Sequence, residues 1–170
     1  VTLVFQPAEE GGHGARALIR EGALEGIDCI YGWHNWPAIP FGKIVCPDGL
    51  IMCGNGTFEM TVRGRGGHAS QPERCADPVL AAAAIIVNLQ QVVSRRLAPQ
   101  RPAVLSVTSI RAESAPTVIP DRAVLGGSIR VPDTATRGQL NAAIDEIATA
   151  TAQAHGVRCE VVHYPRYEAT

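Results

Sequence analysis

The chain has 170 residues, a formal net charge of −1 and 46% hydrophobic residues. That length suits one ordinary domain, or a small domain with part of another, and that composition excludes a disordered chain. Near-zero charge leaves no electrostatic footprint for nucleic acid, and no uninterrupted apolar run approaches the roughly 18 residues of a membrane span.

The chain opens on Val1-Thr2-Leu3-Val4-Phe5, and Val1–Gln6 reads as a short buried strand. A chain that begins inside a strand is expected to have a segment before it. A two-glycine loop follows, then Ala15–Glu21 reads as a short helix stopping near Gly22. Asp28–Trp33 is a second strand-like apolar run, and Pro37 makes the segment after it a loop, since proline cannot continue a ladder. Polar residues would then stand at the ends of two strands, where open α/β sheets usually bind ligands.

The remainder is periodic. Thr57–Arg63 alternates as a strand, with Phe58, Met60 and Val62 on one face. Asp77-Pro78 is an N-cap followed by proline at the first helical position, and Val79, Ala82, Ile86, Leu89, Val93 and Leu97 recur at helical spacing. The apolar run around Val79–Val87 is the longest in the chain and stops at Asn88. Ala103–Ile110 and Arg122–Val131 are strands. On the second, Leu125, Gly127, Ile129 and Val131 share one face, and Arg130 points the other way. Asp133 or Thr134 caps a helix with Leu140, Ile144 and Ile147 inward, ending at His155-Gly156, and Val157–His163 is the last strand. The order β-α-β-β-α-β is the split-βαβ, ferredoxin-like arrangement of α+β domains, with two helices on one face of a four-stranded antiparallel sheet.

Three clusters could carry chemistry. Glu9 and Glu10 end the first apolar run behind Pro7. One could bind a cation while the other acts as a general base, or both could be a solvated acidic pair. His34 lies in the loop Gly32-Trp33-His34-Asn35-Trp36-Pro37. It suits a metal ion as a neutral imidazole, or simply packs between the two rings. His68 follows Gly66-Gly67. It could donate to a developing oxyanion, or be an ordinary turn histidine. Arg130 could reach a carboxylate or solvent. The five cysteines, at 29, 46, 53, 75 and 159, form no CxxC pair; they argue against a disulfide framework or zinc knuckle and fit a reducing cytoplasm.

In order, Gln6-Pro-Ala-Glu-Glu10, Gly32-x-His34-x-x-Pro37, Gly66-Gly-His-Ala69, Val118-Ile-Pro-Asp121 and Gly127-Ser-Ile-Arg130 resemble the M20-type metallopeptidase family across nearly the whole chain. The branch they resemble is that of hippurate hydrolases and N-acyl-amino-acid amidohydrolases. The resemblance implies part of a zinc-peptidase-like catalytic α/β domain over residues 1–56. A ferredoxin-like dimerisation, or lid, domain would cover 57–163, with 164–170 returning toward the catalytic domain.

By the same resemblance, Glu9 is the general base, Glu10 and His34 are metal ligands, and His68 reaches the active site of the partner subunit to hold the oxyanion. Arg130 helps with the substrate carboxylate. Thr117 stands where the family carries an asparagine that contacts substrate, and Glu113 near a usual glycine, which bears on specificity. The implied cofactor is a divalent metal, zinc with manganese, cobalt or nickel as substitutes, two per active site in the complete protein. The implied substrate is an N-acyl amino acid, cleaved to a carboxylic acid and a free amino acid by a cytoplasmic homodimer that binds neither nucleic acid nor membrane. Further family ligands, a Cys, His and Asp cluster and a C-terminal histidine, have no match here, so these residues alone are expected to be inactive. An M20 carboxypeptidase or dipeptidase, or a non-catalytic dimerisation module, are the alternatives.

Overall fold

A computed structural model describes all 170 residues. They divide into two compact units, Val1–Val45 and Cys46–Thr170.

In the first unit the regular element is α1 (Gly14–Arg20). It stops before Gly22, whose φ of 86° is the left-handed turn that ends a helix. The two expected strands do not form. Val1–Gln6 and the 28–33 run are unpaired, and Leu3, Phe5, Ile30 and Tyr31 are exposed. An extended apolar run becomes a strand only when a neighbouring backbone takes its N–H and C=O groups, and residues 1–45 bring none to it.

The second unit builds the expected α+β order. Its elements are β1 (Gly54–Arg63), β2 (Gly67–His68), α2 (Pro78–Gln91), β3 (Val104–Arg111), β4 (Val118–Ile119), β5 (Arg122–Val131), α3 (Thr134–Ala154) and β6 (Arg158–Tyr167). The four long strands lie in the order β3-β5-β1-β6, all antiparallel to their neighbours. Alternation along β1 buries Phe58, Met60 and Val62, and along β5 it buries Leu125, Ile129 and Val131. Against this face pack Ile85 and Leu89 of α2 and Leu140 and Ile144 of α3. Each such side chain contributes about 1.5–3 kcal/mol by leaving water.

Both helices start as the capping pattern requires. Asp77 Oδ1 accepts from the Val79 and Leu80 N–H groups at 2.8 and 3.2 Å, and Asp133 Oδ1 accepts from Thr136 N–H at 2.6 Å. Helix α3 ends before Gly156, whose φ is 68°.

One expectation about α2 needs correction. Its buried face is Ala81, Ala82, Ile85, Leu89 and Val92, a rotation of about one residue from the expected Ile86 and Val93. The unbroken run Val79–Val87 has no polar position to set the phase, so packing against the sheet sets it. As the recurrence through Val93 and Leu97 leads one to expect, the helix continues past that run. A π-helical turn, Val92–Arg96, extends it to 19 residues, Pro78–Arg96, with a mean hydropathy of 1.3. By length and composition it could cross a bilayer, but its inner face is part of the core described above.

The two ends of the second unit run side by side. Thr170 C=O accepts from the Ile51 and Met52 N–H groups, and Thr170 N–H donates to Met52 C=O at 2.9 Å. The buried Arg137 of α3 donates to Tyr167 C=O at 2.6 Å and lies 3.3 Å from Glu168, fastening the end of β6 to the helix.

Candidate functional site

In the first unit, Ala8 takes a left-handed φ of 46°, uncommon for a residue with a Cβ, and its carbonyl accepts from Gly12 N–H at 2.9 Å. This tight turn carries Glu9 and Glu10, both exposed. Such strain costs on the order of 1–3 kcal/mol and recurs where side chains are aimed for function.

His34 is exposed as well. Its ring meets Trp36 at 5.8 Å between centroids with a 53° tilt, so it is not buried between two rings. Its Nδ1 lies 2.8 Å from Asn35 C=O. A carbonyl only accepts, so Nδ1 carries a proton, and in the neutral ring Nε2 then keeps its lone pair. Metal-binding histidines are commonly oriented by such a bond through the other nitrogen. His34 therefore fits a divalent cation. Residues 1–170 nonetheless gather no group of three or more His, Cys, Asp or Glu able to hold one, and a catalytic zinc commonly has three protein ligands.

In the second unit, β1 runs into Gly64-Arg65-Gly66-Gly67-His68. The glycines are needed because backbone passes backbone here. A Cβ on Gly64 would overlap the Ala76 carbonyl oxygen, and one on Gly66 would lie 2.6 Å from that of Ile119. Freed of side chains, the segment pairs β2 with β4, His68 opposite Val118, and Ala69 N–H donates to Thr117 C=O at 2.8 Å. The structure thus brings His68 and Thr117 together on one exposed loop pair. A shallow hollow of about 380 Å³ is lined by Arg111, Glu113, Asp121 and Arg122 among others, with neither His68 nor Thr117 in its wall.

His68 is held from below. Gln71 N–H donates to His68 C=O at 2.9 Å, closing a turn. That turn sets Ser70 Oγ at 2.7 Å and Ser70 N–H at 3.2 Å from His68 Nδ1. The sequence reading missed Ser70. The available signal was a hydroxyl two residues after a histidine in a glycine-rich turn.

Arg130 is elsewhere. It is exposed near the far end of β5, opposite Asn55 of β1, with Nη1 donating to Ile129 C=O at 3.0 Å. Arg122, at the His68 end, is eight residues away, about 26 Å of strand. One small molecule cannot touch both His68 and Arg130 of the same copy. The clear pKa shifts are at Asp133, held below the usual carboxylate range by the Thr136 backbone N–H, and at Cys159, pushed up to about 11 chiefly by burial.

A family model described as the peptidase dimerisation domain matches residues 52–156. The chain is 42% identical over 159 residues to an IAA-amino acid hydrolase of Arabidopsis thaliana, covering 94% of the chain and 35% of that protein. It is 39% identical over 163 residues to a hippurate hydrolase of Campylobacter jejuni, covering 95% and 43%. Among solved structures, it is similar to a dinuclear metal-binding peptidase of the M20 family from Bacillus subtilis, with a TM-score of 0.77, 31% identity, and coverage of 98% of this chain and 41% of that one. The chain thus spans less than half the length of these relatives.

Proposed function

The chain belongs to the M20 family of peptidases and amidohydrolases, and from that premise we propose that the full-length protein hydrolyses the amide bond of N-acyl amino acids to a carboxylic acid and a free amino acid. The observation that carries this is the match of 94% and 95% of the chain to two relatives named for cleaving IAA-amino acids and hippurate. Similarity to a family peptidase keeps short peptides as the second reading.

In this mechanism Glu10 and His34 contribute to holding a divalent metal, zinc in the first instance. When bound, that metal polarises the substrate carbonyl and eases deprotonation of water. Glu9 takes the proton from the attacking water and passes it to the leaving amine. His68 donates to the carbonyl oxygen as it gains charge. Thr117, beside it, contacts the acyl group, and Arg130 receives the substrate carboxylate as a bidentate partner.

The separation of His68 from Arg130 supports a shared arrangement, in which His68 of one copy serves the active site of another. Leu80 and Val87 of α2, and Val104 and Ile110 of the edge strand β3, are 59%, 69%, 51% and 50% exposed. An apolar helix face beside an open sheet edge suits a homodimer contact. We place the protein in the cytoplasm, with no nucleic acid or membrane partner.

The test is a panel of N-acyl amino acids and dipeptides given to the full-length protein before and after chelation, with amino acid release measured. Release from the acyl compounds that stops on chelation and returns with added zinc is expected. Turnover of dipeptides alone would favour the peptidase reading, and release unaffected by chelation would overturn the mechanism.

A further inference from the structure

We propose that Ser70 is a positioning residue that locks His68 into the tautomer with its proton on Nε2, so that the ring presents a hydrogen-bond donor to the reacting carbonyl. The proposal rests on the reading of His68 as the oxyanion donor.

Two groups of Ser70 face one ring nitrogen. The hydroxyl lies 2.7 Å from His68 Nδ1, and the backbone N–H donates to the same atom at 3.2 Å. A hydroxyl can give or take a hydrogen bond, so the first contact is ambiguous by itself. A backbone N–H can only give, and it settles the matter: Nδ1 is the acceptor. The hydroxyl proton therefore also points at Nδ1. In a neutral imidazole the single ring proton must then sit on Nε2.

The cradle is built from backbone. The turn from His68 C=O to Gln71 N–H, the pairing of His68 with Val118, and the bond from Ala69 N–H to Thr117 C=O fix both sides of the loop. Ring orientation and proton placement follow from a short closed circuit and need no distant carboxylate.

The chemical consequence is specific. With Nδ1 engaged, His68 can stabilise a developing negative oxygen through Nε2–H without gaining or losing a proton. The proton that moves from water to the leaving amine is carried by Glu9 alone. His68 and His34 are thus oriented in opposite senses. A carbonyl on Nδ1 of His34 exposes a lone pair at Nε2, whereas a hydroxyl and an N–H on Nδ1 of His68 expose a proton there.

The test combines spectroscopy and kinetics on the full-length protein. Histidine ring nitrogens are labelled with ¹⁵N, His68 is assigned by the signal lost in His68→Gln, and long-range ¹H–¹⁵N correlations read its tautomer. The expected result is protonated Nε2 and bare Nδ1 in the parent and in Ser70→Thr, and a measurable share of the other tautomer in Ser70→Ala, where only the longer 3.2 Å backbone bond remains on Nδ1. With it should come a fall in kcat of about five- to tenfold in Ser70→Ala, the scale of one lost hydrogen bond. KM and metal content should be unchanged, and Ser70→Thr should recover most of the rate. A parent spectrum with the proton on Nδ1 overturns the proposal, as does a Ser70→Ala enzyme with altered tautomer and unaltered kcat. Failure of the underlying reading is a separate result: His68→Gln would then turn over as fast as the parent, whatever the spectra show.

Discussion

Replacing Gly127 by alanine asks β5 to hold a Cβ where the Phe58 ring already lies. Phe58 is 3% exposed on β1, directly opposite Gly127. The added carbon would overlap its ring edge and sit 2.5 Å from the Ser106 carbonyl oxygen of β3. The ring can tilt, but the carbonyl belongs to a sheet bond and cannot yield cheaply. Overpacking of this kind costs about 1–3 kcal/mol, and a backbone neighbour puts Gly127→Ala near the upper end. Gly138 in α3 provides the control, because nothing lies within 4 Å of a Cβ there. Gly138→Ala should stabilise by roughly 0.5–1 kcal/mol through helix propensity. Urea unfolding of the chain should therefore show midpoints moving in opposite directions with similar slopes. Phe58→Leu in the Gly127→Ala background should restore part of the loss, a coupling on the order of 1 kcal/mol. A Gly127→Ala midpoint equal to the parent's, or an absence of coupling to Phe58, would refute this packing account.

Asp133 accepts from the Thr136 backbone N–H and hydroxyl, which hold its carboxyl below the ordinary value. A depressed carboxylate stabilises the fold above its unfolded pKa of about 4, and that contribution is lost as pH falls through the lower folded value. The thermal midpoints of the parent and Asp133→Ala should thus differ at pH 6 and converge in more acidic buffer; a constant gap would contradict the capping role. Cys159, pushed up to about 11 by burial and by Asp145 and Glu160, should resist iodoacetamide at pH 8, while the exposed Cys29, Cys46 and Cys53 react within the same period. Mass mapping of the labelled peptides checks this, and equal labelling of Cys159 would refute it.

How much of this was legible in the sequence depended on where each signal lives. The strands β1 and β5 and the helix starts at Asp77 and Asp133 rest on local features, namely alternation and capping, and the observed elements match them closely. The phase of α2 does not, because nine apolar residues in a row leave the inward face to be chosen by the sheet. The runs at Val1–Gln6 and 28–33 look like strands by composition, yet a strand is a property of a pair, and residues 1–45 offer them no paired backbone. The neighbourhood of His68 and Thr117 was out of reach for a similar reason. They lie 49 positions apart in the sequence and meet through the two-residue ladder of β2 and β4. Ser70 was within reach, being two residues from His68, but its meaning depends on the turn closed from Gln71 N–H to His68 C=O. The distance of Arg130 from His68 was already implicit in the strand length, since a ten-residue strand separates its ends by about 30 Å.

The most direct test of the account is complementation between two inactive variants. Glu9→Gln removes the proposed base and His68→Ala the proposed oxyanion donor, and each alone should abolish most turnover while retaining bound metal. Co-expressed, they should form mixed dimers in which one of the two proposed active sites combines an intact Glu9 with an intact His68 from the other copy. Random pairing makes about half the dimers mixed, so about a quarter of the parent's activity should return. Recovery at that level is the predicted result. No recovery, in dimers shown by differential tags to contain both variants, would contradict an active site assembled from two copies of this chain.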